Sequence, residues 1–155
     1  MSRAPSRPAK QAAAPGPQKI EAFTAEDAAQ VERQRSWVRD HLEAGARQRY
    51  GTLESKLRLL STIIRSNWIA RNEIQKLQCL DITFGDALVQ QMGLEWVAVA
   101  ERRGRAYALR DPQTGSMLYP RSAISQRLEQ GQPVEVIDLF IAACDKIEEV
   151  RRRPK

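Results

Sequence analysis

The apolar pattern of this chain changes once, and that change restricts the fold to helices combined with a small antiparallel sheet. Before residue 94 apolar side chains recur at helical spacing, as in Leu53, Leu57, Leu60 and Ile64. From Leu94 onward they alternate with other residues in the run LEWVAVA, which is typical of a strand with one buried face. The sequence therefore predicts helices first and strands second.

Two turns divide the second region into three short strands. Residues 101–105 connect the run after Leu94 to residues 106–110, and the turn sequence DPQTG leads into residues 116–119. A three-stranded meander needs a helical layer to be stable. We predict an α+β domain in which a three-stranded antiparallel meander packs against a layer of about five helices.

Five helices are predicted from capping residues and apolar spacing. Thr24 begins one that runs to about Ala44, and Thr52 begins the second. The third runs from about residue 72 to 92, a short one begins at Pro120, and the last covers about 134–152. The inward residues predicted for the third and last helices are Ile74, Leu77, Phe84, Leu88 and Met92, then Ile137, Phe140, Ile141, Cys144 and Ile147.

Gly85 lies within the third helix, where glycine costs about 1 kcal/mol relative to alanine. A close approach by the backbone of a neighbouring element is the expected reason for it. Gly93 follows the same helix and is expected to end it in a left-handed conformation.

Positive charge is concentrated at the two ends of the chain. Eight of the 25 basic residues lie in residues 1–20 and 151–155, which contain no acid, so 17 remain in residues 21–150 against all 19 acids. We predict a disordered basic tail at 1–20, a single domain at 21–150 and a basic tail at 151–155. The sequence leaves open whether residues 21–50 pack on this domain or project from it.

No residue cluster indicates a reaction, a metal site or a cofactor. The two cysteines, Cys79 and Cys144, show no ligand spacing and read as buried thiols, and His41 has no Cys or acid constellation beside it. Phosphate-binding glycine motifs are absent from the sequence. No secretory signal or membrane-spanning apolar run is present, which favours a cytoplasmic protein. We predict a non-enzymatic protein without catalytic, cofactor or metal residues.

A candidate binding surface combines arginines of the hairpin with nearby aromatic residues. Basic and aromatic side chains interleaved on a sheet are able to hold phosphates and stack bases, although arginines at a turn are commonly just solvated. The helix after Thr24 adds a tryptophan that its own domain is not expected to cover fully. The candidate residues are Trp37, Trp96, Arg102, Arg103, Arg105, Tyr107, Arg110 and Arg127.

Residues 77–147 resemble the bacterial family known as domain of unknown function 3806. The resemblance lies in the phrases ITFGDALVQQMGLEWVAV, GRAYALRDPQTGSMLYPRSAISQRLEQG and VIDLF. It implies a small bacterial α+β domain to which no catalytic role is assigned. The residues that carry it are Phe84, Gly85, Asp86, Glu95, Trp96, Val97, Gly104, Arg105, Arg110, Pro120, Ile124, Ser125 and Arg127.

Three functions remain open at this point. The leading one is a cytosolic protein-binding module, adaptor-like or immunity-like, that uses an exposed sheet face or the helix from Thr24. The alternative is a nucleic-acid-associated protein that binds weakly through its tails and hairpin arginines. The third is an enzyme with a dispersed site around Tyr107, Arg110 and Arg127. A deep pocket that gathers arginine, tyrosine and carboxylate from distant segments would contradict the hypothesis of a passive module.

Overall fold

The computed structural model describes residues 19–41, 50–102 and 104–154, and it shows six helices and four strands within them. The predicted α+β class is confirmed. The elements in chain order are β1 (Lys19–Glu21), α1 (Ala25–Arg39), α2 (Leu53–Arg65), α3 (Ile74–Met92), β2 (Glu95–Glu101), β3 (Gly104–Arg110), β4 (Met117–Leu118), α4 (Pro120–Ala123), α5 (Ser125–Glu129) and α6 (Val136–Arg152).

The four strands form one antiparallel sheet in the order β1-β2-β3-β4. Strands β2 to β4 are the predicted meander, but β1 makes the sheet one strand larger than predicted. It pairs with the free edge of β2 and places Ile20 opposite Val99. The unpaired N–H and C=O groups of that edge are a ready template for a further strand. Lys19 and Ile20 therefore belong to the sheet rather than to the predicted tail, whose residues 1–18 lie outside the described residues.

The predicted capping residues begin and end the helices. Thr24 and Asp27 form a capping box at the start of α1, with bonds of 2.9 and 3.1 Å. The hydroxyl of Thr52 accepts a hydrogen bond from the Ser55 N–H at the start of α2. Gly93 ends α3 with a φ of 70°. Helix α1 ends at Arg39, earlier than predicted, and residues 42–49 lie outside the described part of the chain.

Helix α3 is the centre of the core and contacts α1, α2, α4, α5 and α6. Phe84 of α3 is fully buried and meets Phe140 of α6 edge to face, with ring centroids 6.2 Å apart. Val31 and Val38 of α1 are also buried, so α1 packs on the domain and does not project. Trp37 is half-buried against the main core, so the domain covers it in part, as expected.

Three residues predicted to face inward are exposed instead. They are Ile74, Ile137 and Ile141, with exposures of 44%, 48% and 52%. In α6 the buried side chains are those of Val136, Phe140 and Ile147. The sequence of α6 carries two adjacent apolar stripes about 100° apart, and only one of them faces α3.

Both faces of the sheet carry buried apolar residues. Trp96 and Leu109 belong to the core beneath the helices. On the opposite face Val97, Val99 and Ala108 form a second buried cluster, against which Met117 and Tyr119 pack. The expectation of an exposed sheet face for recognition is therefore wrong for this part of the sheet.

The C-terminal arginines are divided between the fold and the solvent. Arg151 lies in the last turn of α6 and donates to both carboxylate oxygens of Asp111, at 2.8 and 3.1 Å. Its other contact is the Met92 carbonyl at 2.6 Å. Because Asp111 is only 2% exposed, Arg151 compensates a buried charge. Residue 151 is thus part of the folded domain rather than of a basic tail.

Candidate functional site

Gly85 and Asp86 hold Trp96 in place between α3 and β2. A Cβ at position 85 would overlap the indole of Trp96, so only glycine leaves room for this ring. The close neighbour is thus a side chain and not the backbone that we predicted. The indole Nε1 donates to Asp86 at 3.1 Å. The Phe-Gly-Asp motif of the resemblance therefore serves packing, and Trp96 is held by it.

Asp86 also joins α1 and Tyr50, in the segment that precedes α2, to α3. Arg35 donates to its two carboxylate oxygens at 2.6 and 2.8 Å, and the Tyr50 hydroxyl donates at 3.1 Å. Burial is the main cause that raises the pKa of Tyr50, and the negative charge of Asp86 adds to it. We call Arg35, Tyr50, Asp86 and Trp96 the Asp86 network. It positions one wall of the cleft described below.

Asp27 binds two of the predicted site residues. Arg105 donates to it through Nε at 3.1 Å and through Nη2 at 2.6 Å, and the Tyr107 hydroxyl donates at 3.2 Å. Glu21 accepts a further bond from Arg105 at 2.5 Å. The hydrogen bond from Arg105 is the main cause that lowers the pKa of Asp27. Arg105 and Tyr107 thus fasten β3 to the start of α1, and their polar groups are already engaged.

A cleft of about 260 Å³ lies where α1, α3, the sheet and α4 meet. Its walls combine three glutamine amides with two arginines, two tyrosines and one aspartate, drawn from four separate stretches of the chain. This is the kind of lining that we expected to weigh against a passive binding module. The cleft residues are Gln30, Gln34, Gln78, Asp81, Ile82, Trp96, Arg105, Ala106, Tyr107, Tyr119, Pro120 and Arg121.

Asp81 is the buried carboxyl of the cleft. Its two oxygens accept hydrogen bonds from the backbone N–H and the hydroxyl of Ser125, at 2.9 and 2.7 Å. Burial raises the pKa of Asp81 to about 7, although the Ser125 bonds and the positive charge of Arg121 oppose the rise, while Glu129 adds to it. The carboxyl therefore joins α3 to the start of α5 and is partly protonated near neutral pH.

Replacing Asp81 with asparagine is expected to change how stability depends on pH. The folded protein keeps the Asp81 proton up to about pH 7, whereas an unfolded aspartate loses it near pH 4. The stability from this group is thus fully present below about pH 4 and is lost as the pH rises to about 7. At pH 8 we expect D81N to be more stable than the wild type by on the order of 4 kcal/mol.

Urea denaturation of both proteins between pH 4 and pH 8 tests this expectation. The difference between them isolates Asp81 from the other acids, because asparagine keeps the shape and its amide is able to bond Ser125. A stability difference that stays constant over this range would contradict the account of Asp81.

The structure brings together three of the eight predicted site residues. Trp96, Arg105 and Tyr107 line the cleft. The remaining residues do not join them: Trp37 packs on the core, Arg102 is exposed at the turn, Arg110 pairs with Glu95 at 3.5 Å, Arg127 lies on α5, and Arg103 lies outside the described residues.

The sequence analysis missed the glutamines and Arg121. Gln30 and Gln34 are four residues apart on α1, so they share one helix face, and this spacing was the available signal. Nothing in the local sequence links them to Gln78 or to Arg121, which follows a proline in a different segment. The packing of both α1 and α4 on α3 brings these side chains to one cleft.

The described residues form neither a metal-binding cluster nor a membrane-spanning helix. Among these residues no group of three or more His, Cys, Asp or Glu side chains is placed to hold a metal ion. Cys79 and Cys144 are free thiols, the first buried and the second half-buried. Within the same residues, no helix has the length and apolar character needed to cross a bilayer.

Comparison with known proteins identifies the fold and the family. A crystal structure of a protein from Bacteroides thetaiotaomicron VPI-5482 is similar, with a TM-score of 0.71 and 16% sequence identity. The alignment covers 84% of this chain and 48% of the other, so this chain spans about half of that protein's length. At this identity the similarity shows the fold alone. No curated protein matches the sequence.

The family assignment rests on the sequence itself. The profile of a family described as Domain of unknown function (DUF3806) matches residues 56–140, which is more than half of the chain. The match begins earlier than the resemblance over residues 77–147 and so includes most of α2. It contains the Phe-Gly-Asp motif, the hairpin and the residues of α3 and α4 that line the cleft. The chain belongs to the DUF3806 family.

Proposed function

We propose that the protein is a non-enzymatic protein-binding module, of adaptor or immunity type, and that the cleft is its recognition site. One observation carries this proposal: the side-chain oxygen of Gln34 is buried in the cleft wall without a hydrogen-bond donor, the one such atom among the described residues. A buried acceptor without a partner costs about 1–3 kcal/mol. Rotation of the Gln34 side chain into the open cleft, where an N–H group of a partner protein meets this oxygen, would remove that cost.

The remaining polar groups of the cleft favour recognition over catalysis. Arg105 and Tyr107 are bound by Asp27, and both oxygens of Asp81 are bound by Ser125. The groups left to meet a ligand are mainly glutamine amides, which donate and accept hydrogen bonds but do not exchange protons near neutral pH. Such a lining is able to orient a polar chain, and its one carboxyl, Asp81, whose pKa burial raises to about 7, is held by Ser125 at both oxygens.

The size and charge of the cleft indicate the kind of partner. A volume of about 260 Å³ accommodates an inserted side chain. Arg121 is half-buried and has no ion pair within the part of the chain that the structure describes. A carboxylate from the partner would complement this cation. We therefore expect an acidic segment of another protein to enter the cleft.

The nucleic-acid alternative has less support from the hairpin. Arg105 is neutralised by Asp27 and Glu21, and Arg110 is within 3.5 Å of Glu95. Among the described hairpin arginines, only Arg102 has no acidic partner. A surface on which two of three cations are already paired releases few counterions from a phosphate backbone.

Site-specific photocrosslinking in a lysate of the source organism tests the proposal. A photoreactive amino acid is placed at Gln30, which lines the cleft beside Gln34, or, as a matched control, at Gln113 in the exposed turn before β4. We expect one discrete protein adduct from position 30 that position 113 does not give, and that disappears in the R121Q background. Equal adducts from both positions, or turnover of a metabolite by the purified protein, would contradict the proposed function.

A further inference from the structure

A second depression, of about 270 Å³, lies between α2, α3 and the loop that connects α5 to α6. It shares no lining residue with the cleft. Its floor is formed by Ile63, Leu77 and Leu80, each no more than 2% exposed. We call it the aliphatic groove, since its apolar side chains are all aliphatic, with Ile64, Ile69 and Leu128 beside the floor.

One cation lies at the rim of this groove. Arg71 is exposed and makes no hydrogen bond or ion pair with any residue that the structure describes. Its guanidinium rests against Gly131, where a Cβ would be 3.0 Å from Nη1 and 3.1 Å from Cζ. Gly131 has a φ of 72°, so this position favours glycine for its backbone as well. The Arg71 guanidinium is therefore held beside the groove by packing against the backbone of Gly131, and not by an acidic residue.

The rest of the rim carries no charge. Asn67 and Gln132 are the other polar lining residues, and both are neutral amides. An aliphatic floor beside a single unpaired guanidinium complements a ligand with an apolar body and one anionic end. Arginine is well suited to this role, because its planar group binds both oxygens of a carboxylate.

The volume sets the length of such a ligand. A protein cavity of about 150 Å³ holds one benzene molecule, so 270 Å³ accommodates about ten non-hydrogen atoms. We infer that the aliphatic groove binds a free medium-chain aliphatic carboxylate, with its chain on the floor of the groove and its carboxylate paired with Arg71. This inference is independent of the proposed function, because it concerns other residues and another ligand.

A chain-length series measures the contribution of the floor. The full-length protein with labelled methyl groups is titrated with butanoate, hexanoate, octanoate and decanoate below their aggregation concentrations. We expect methyl shifts at Ile63, Ile64, Ile69 and Leu128 and an affinity that rises about fourfold per added CH₂. The rise should stop once the groove is full. Absence of these shifts at millimolar ligand would overturn the inference.

A pair of arginine variants measures the contribution of the charge. R71Q should weaken octanoate binding at least about fivefold while leaving octanol binding unchanged. R65Q removes an exposed arginine at the end of α2 outside the groove and should bind like the wild type. The ratio of octanoate to octanol affinity within each protein does not depend on small changes in stability. A ratio unaffected by R71Q, or tighter binding of a peptide that ends in leucine, would overturn the inference.

Discussion

Replacing Asp86 with alanine is expected to lower the free energy of unfolding by about 3–5 kcal/mol. The variant leaves Arg35 partly buried without its main partner and removes the acceptor for the Tyr50 hydroxyl and the Trp96 indole. Removing one member of a buried, hydrogen-bonded charge pair costs more than the pair contributes, because the remaining charge stays desolvated. Urea denaturation monitored by circular dichroism and by tryptophan fluorescence measures this loss.

Glu32→Ala is the matched control for this variant. Glu32 also binds Arg35, at 2.8 Å, but its side chain is half exposed. Exposed pairs of this kind contribute about 0–1 kcal/mol. If D86A and E32A have the same small effect, Asp86 does not have the central role described here.

Replacing Arg151 with alanine is the second change with a large expected effect, again about 3–5 kcal/mol of unfolding free energy. The substitution leaves the carboxylate of Asp111 buried with only two local donors, the Gln113 N–H at 3.0 Å and the Thr114 hydroxyl at 3.3 Å. It also removes the bond to the Met92 carbonyl, which connects α6 to the end of α3. Thermal and urea denaturation measure the loss.

The neighbouring exposed arginine provides the comparison. Arg152→Ala removes the same charge one residue later and should change stability by less than about 0.5 kcal/mol. Equal losses of unfolding free energy in R151A and R152A would show that removal of a positive charge, and not loss of the contact with Asp111, causes the destabilisation. Deletion of residues 151–155 is accordingly a poor test of nucleic-acid binding by a tail, because it also destabilises the domain.

The elements that could be predicted are those with a strong local signal. The helix from Leu53 has apolar residues at helical spacing along its whole length. In β2 and β3 apolar residues alternate with other residues on either side of a tight turn. Strand β1 has only three residues and no periodicity of its own. It exists because β2 presents a free edge, and that information lies 75 or more residues away in the sequence.

The pairing of charges could not be predicted from their distribution. Counting residues correctly places an excess of basic residues at the ends, yet it does not show which cations are neutralised. Arg105 meets Asp27 across 78 residues, and Arg35 meets Asp86 across 51. Arg105 and Tyr107 were predicted as binding residues, and in the structure both donate hydrogen bonds to Asp27 and fasten β3 to α1. Neither Gln34 nor Arg121, the cleft residues on which the proposed function rests, takes part in these ion pairs.

The most direct test of recognition at the cleft compares the same substitution at two arginines, one inside the cleft and one outside it. Arg121 lines the cleft, and Arg102 is exposed at the hairpin turn. Binding of the crosslinked partner, once it is purified, is measured by calorimetry for the wild type, R121Q and R102Q. Recognition at the cleft predicts at least about tenfold weaker binding for R121Q, with R102Q unchanged and the melting temperatures of all three similar. Full affinity of R121Q together with loss of binding in R102Q would contradict it.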